Sequence, residues 1–162
     1  MRVVLRLLAV AGLLLAGTAG ATATDKVVSK AEALTAIATF QKDPTSPDGF
    51  AAASTIMAFA HNSRTVHLSL STSVAPWLKD KNASDADTRT ILLTAYVAGN
   101  VEAQLKSGRP VDDVYAGWEQ MLVTYAQLLQ INSAARIPEV DDLKKREADG
   151  TLRTYAAQVA GK

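Results

Sequence analysis

The sequence predicts an all-α protein, a compact bundle of six or seven short helices paired as antiparallel helical hairpins. Three observations lead there. Apolar residues recur at three- and four-residue intervals along most of the chain beyond residue 23. Helix caps and stops punctuate those runs at short intervals. Only one short stretch, near 65–71, alternates as a strand does, and a lone strand leaves its hydrogen-bonding edges unpaired.

Residues 1–23 precede the bundle and read as a cleavable secretory signal: Arg2 and Arg6, an apolar stretch from Leu7 to Ala16, then Ala21-Thr22-Ala23 at the cleavage position. Ala19-Gly20-Ala21 offers a competing cleavage site. The apolar stretch is about 10 residues long, against the roughly 20 that cross a membrane, so no integral membrane segment is expected after processing. The expected destination is the periplasm or the extracellular space, with residues 24–162 as a single helical domain.

The first helix starts at Ser29-Lys30-Ala31-Glu32, where serine and glutamate can satisfy free amides reciprocally, and it stops before Pro44. Its apolar face reads as Ala31, Leu34, Ile37 and Ala38. Ser46-Pro47-Asp48 opens the second helix, with Phe50, Ala53, Met57 and Ala60 on one face to about Asn62. From Arg64 to Trp77, Val66, Leu68 and Leu70 alternate with His67, Ser69 and Ser71, which predicts an extended lead-in and then a helical turn around Ser73 to Lys79.

Asp85 to Lys106 forms the longest helix, apolar nearly all round in its middle and therefore expected at the centre. Gly99 within it marks a close helix crossing or a kink. Gly108-Arg109-Pro110 ends it, and Asp112 or Asp113 caps the next, which runs to about Asn132. That helix carries Val114, Trp118, Met121, Leu122, Tyr125, Leu128 and Leu129 on its apolar face. Glu119, Gln120, Thr124, Gln127 and Gln130 lie opposite. Pro138 opens a helix with acids in its first turn and Lys144, Lys145 and Arg146 near its end, and Asp149-Gly150 closes it before a last helix from Thr151 to about Val159. Loops of about 3 to 8 residues are expected between them.

The chain has no cysteine, which removes a lipid-modified cysteine, disulfides and thiolate metal sites. Its net charge of +1 becomes −1 without the signal, and no basic run marks a nucleic-acid or anionic-lipid footprint. His61 and His67 lack the spacing of paired metal ligands, and no G-x-S-x-G turn presents a nucleophile to either. Asp85/Asp87, Asp112/Asp113 and Asp141/Asp142 sit at helix starts and read as caps. Asn82-Ala83-Ser84 fits a glycosylation sequon but reads as a turn and cap. Trp118, Met121 and Tyr125 have the spacing of a tetratricopeptide repeat, but Leu122 and Pro138 break the pattern and no second copy follows.

No catalytic, cofactor or metal constellation is assigned. The expectation is an exported helical protein that is not an enzyme and binds another protein or a peptide. The alternative is a small-ligand carrier or enzyme with a pocket between helices. Candidates for an interaction surface are Trp77, Tyr115, Trp118 and His67, aromatic or polar side chains bordering the Arg64–Lys79 stretch or the fourth helix.

Overall fold

The computed structural model describes residues 27–79 and 86–160. Among them are six α-helices and no strand: α1 (Lys30–Lys42), α2 (Pro47–Asn62), α3 (Ala86–Ser107), α4 (Val114–Ile131), α5 (Pro138–Ala148) and α6 (Leu152–Ala160), with a single 3-10 turn at Pro76–Leu78. The signal segment 1–23, the sequon Asn82-Ala83-Ser84 and Asp85 lie outside the described residues.

Local chemistry sets the helix ends. The Ser29 hydroxyl accepts from Glu32 N–H at 3.2 Å, while the Glu32 carboxylate accepts from Ser29 N–H at 2.9 Å. Ser46 accepts from Gly49 N–H at 3.0 Å and Asp113 from Ala116 N–H at 3.0 Å. Gly108 and Gly150 close α3 and α5 with positive φ of 67° and 69°, which costs glycine nothing.

The helices pair chiefly as α1 with α2 and α3 with α4, while α5 and α6 pack against the far side of α4. Helix α3 is central, with every residue from Thr94 to Val101 buried. Gly99 marks a close crossing: a Cβ there would lie 2.5 Å from the Ala116 carbonyl oxygen and 2.6 Å from Gln120 Cβ. Gly117 answers it from α4, where a Cβ would fall 2.5 Å from the Tyr96 ring. Both glycines thus serve the α3–α4 contact.

The core faces of α1 and α2 include Leu34, Ile37, Ala53, Met57 and Ala60 as expected, but are centred on neighbouring residues. Helix α1 buries Ala33, Ala36, Ile37 and Phe40, leaving Ala31 and Ala38 exposed, and α2 buries Gly49, Ala52, Ile56 and Phe59, leaving Phe50 54% exposed. In helices this rich in alanine two neighbouring faces look equally apolar, and the bulkier Phe40, Ile56 and Phe59 decide between them. The polar face of α4 is also less open than expected. Thr124 is buried, and Gln120 and Gln127 are half-buried. Gln41 at the end of α1 donates to Gln120 at 2.9 Å and Glu102 at 3.0 Å, and Gln127 donates to the Gln41 carbonyl at 3.3 Å. No helix among the described residues is long and apolar enough to cross a membrane.

Candidate interaction site

The longest described connection, residues 63–75 between α2 and the 3-10 turn, exceeds the expected loop length. Loops of this size without regular structure are either functional or disordered, so what holds this one in place matters. Three side chains do so by hydrogen bonds to its main chain, and a fourth ties down the turn that follows.

Gln104 on α3 grips His67 at both ends of the residue. Its carbonyl oxygen accepts from His67 N–H at 2.8 Å, and its amide donates to the His67 carbonyl at 2.7 Å. Because both main-chain groups of His67 face the same side, the chain is extended there, and the glutamine amide stands where a neighbouring strand would. Asp112 accepts from Ser69 N–H at 2.9 Å, two residues on and on the same side. Trp118 Nε1–H donates to the Val74 carbonyl at 2.8 Å, next to a turn in which Ser71 O accepts from Val74 and Ala75 N–H. Arg89 then donates to the Trp77 carbonyl.

This arrangement explains why residues 65–71 alternate like a strand within an all-helical fold. Val66 is buried, Leu68 half-buried, and His67 and Ser69 are exposed, as period two demands, and the alternation ends at Leu70, which is exposed. The inner edge is satisfied by side chains, so no second strand is needed.

Behind the segment lies a buried polar network. Asn100, fully buried, donates to Asp112 at 2.6 Å and to the Tyr96 hydroxyl at 3.3 Å, and its Oδ1 accepts from Gln104 at 2.7 Å and from Asp113 N–H at 3.1 Å. Burial, reinforced by the charge of Asp112, pushes the Tyr96 hydroxyl well above the ordinary phenol range. Asp112 is therefore a tertiary tie, while Asp113 is the cap. Asp141 also does more than favour a helix start: it accepts from the Tyr125 hydroxyl at 3.1 Å, which in turn accepts from Ile137 N–H at 2.9 Å.

The four surface candidates separate cleanly. Trp77 and Trp118 are fully buried, which corrects the expectation that they lie at the surface. A core built largely from alanine needs its few large rings to fill space: Trp77 meets Tyr96 edge-on at 6.3 Å, and Trp118 stacks on Tyr155 at 5.5 Å. Tyr115 is half-exposed beneath the Arg153 guanidinium, 3.7 Å from its ring centre, and His67 is exposed on the anchored segment. Sequence reading missed Gln104, Asn100, Asp112 and Arg89, which build the site from behind.

The larger concavities are open surface grooves. One of about 760 Å³ runs between α1 and α2 over Ala31, Thr35, Ala52 and Thr55, and neither His61 nor His67 lines it. Among the described residues no three His, Cys, Asp or Glu side chains gather as metal ligands. The chain matches no protein-family model, no curated protein and no solved structure.

Proposed function

We propose that this chain is an exported, non-enzymatic helical protein whose bundle presents the segment from Arg64 to Ala75 to another protein or a peptide. The reading rests on one observation above the rest. A long connection without helix is held against α3 and α4 by Gln104, Asp112 and Trp118, yet its side chains from Ser69 to Ser73 are exposed, with Leu70 at 52%. Exposed Val111, at 64%, belongs to the α3–α4 connection that also supplies Asp112. Holding an extended surface segment in one conformation lowers the ordering cost of binding. Export is supported by the basic start, short apolar stretch and Ala21-Thr22-Ala23 of residues 1–23.

Native mass spectrometry of the protein purified from its host's exported fraction tests both parts. The expected spectrum shows a chain beginning near Thr24 that retains a protein or peptide mass. A chain that keeps Met1, or a reproducible small-molecule mass with no protein partner, overturns the corresponding part.

A further inference from the structure

The anchored segment has two main-chain edges, and its hydrogen bonds use only one. His67 N–H and C=O and Ser69 N–H all turn inward, to Gln104 and Asp112. In an extended chain the direction alternates by residue, so the N–H and C=O groups of Val66, Leu68 and Leu70 turn outward. Among the described residues no hydrogen bond reaches them. Side chains have supplied the inner neighbour, and the outer neighbour is missing.

We infer that this outer edge receives an extended, acidic segment of a partner protein as an added strand, an inference that rests on the partner-binding reading above. Donors and acceptors repeating every second residue, about 6.6 Å apart, match the main chain of another extended segment and neither a helix nor a compact ligand. Charge selects the kind of segment. From Gly49 to Lys79 the chain carries no Asp or Glu, while the cations Arg64 and Lys79 are exposed along it. The nearest carboxylate, Asp112, belongs to the inner edge and already accepts from Ser69 and Asn100. A second copy of this chain would set one basic edge against another, so a carboxylate-bearing strand with apolar residues at alternate positions, suited to Leu70 and Val111, is the better complement.

The test uses a blocked, fluorescently tagged peptide of alternating valine and glutamate, titrated by anisotropy against the chain purified from the exported fraction. Saturable binding is expected, with the valine–lysine peptide about ten-fold weaker or worse. Leu70→Pro and Leu70→Ala both remove the apolar side chain, but only proline also removes the main-chain N–H, so Leu70→Pro is expected to bind about ten-fold more weakly than Leu70→Ala. N-methylation of the peptide at alternate amides provides the same comparison without altering the protein: methyls on the pairing edge abolish binding, and methyls on the other edge do not. No binding or indifference to N-methylation overturns strand addition, and equal binding of the lysine peptide overturns the acidic character of the segment. If the natural partner is recovered equally by wild type and a folded Leu70→Pro, strand addition falls while partner binding stands. If the native spectrum shows no partner at all, the underlying reading falls too.

Discussion

Replacing Gln104 with leucine isolates the grip on the extended segment. Gln104 is 2% exposed and makes three short hydrogen bonds, two to His67 and one to Asn100. Leucine keeps most of the volume and removes all three. The inward-facing N–H and C=O of His67 regain water only if the segment lifts away from the leucine, and each bond then costs its net value of about 1 kcal/mol. Asn100 is fully buried, but its Oδ1 retains the bond from Asp113 N–H, so the third loss is of similar size. About 3 kcal/mol in all, slightly offset by the better burial of leucine, leaves an expected loss of about 2–3 kcal/mol. Urea unfolding measures this, and amide exchange at His67 reports whether the segment has detached. Gln104→Glu is expected to be worse at neutral pH, because a buried carboxylate then faces the His67 carbonyl. That repulsion raises the folded carboxyl pKa above its unfolded value of about 4.3, so stability is retained below that pH and lost as pH rises through the folded pKa. A Gln104→Leu change below about 0.5 kcal/mol, with His67 amide protection intact, refutes the reasoning.

Gly99→Ala gains about 1 kcal/mol of helix propensity but drives a Cβ to 2.5 Å from the Ala116 carbonyl oxygen, so a net loss of about 1–2 kcal/mol is expected in denaturant unfolding. Trp118→Phe gives up the 2.8 Å bond to the Val74 carbonyl and part of the stack on Tyr155; calorimetry is expected to show about 2 kcal/mol less stability, with Val74 newly mobile by NMR. Tyr96, whose folded pKa is raised by burial, contributes stability that is complete below pH about 10 and falls by about 1.4 kcal/mol per pH unit above it. An alkaline unfolding series is expected to show that fall in wild type and a shallower one in Tyr96→Phe. Tyr125, also raised by burial, accounts for part of the remainder.

Helix starts were legible because they depend on residues three apart in sequence: Ser29 with Glu32, Ser46 with Gly49 and Asp113 with Ala116 all bond as their spacing implies. The rotation of α1 and α2 was not. Ala31 and Ala33, or Phe50 and Ile56, differ little in local pattern, and the choice is made by which large side chains fit beneath α3. The exposure of candidate aromatics was illegible for a similar reason, since Trp77 and Trp118 are filled in by partners distant in sequence, Tyr96 and Tyr155.

The site did leave a trace in the sequence, though among its supports and not among its exposed residues. Helix α3 is apolar almost all round, and Asn100 and Gln104 interrupt it four residues apart, on one face. A buried amide must find partners, and two of them one turn apart inside a central helix require a neighbouring segment that can supply main-chain groups. A helix cannot do so along its sides, because its own ladder uses those groups. The amides at positions 100 and 104 therefore call for a loop or an extended chain beside them, and the main chain of Asp113 and His67 meets that requirement, with the Asp112 carboxylate beside it. On this argument the alternation of residues 65–71 and the polar pair in α3 are two halves of one device: the extended segment exists because α3 carries its inner neighbour in side-chain form, which leaves the outer edge available to another chain.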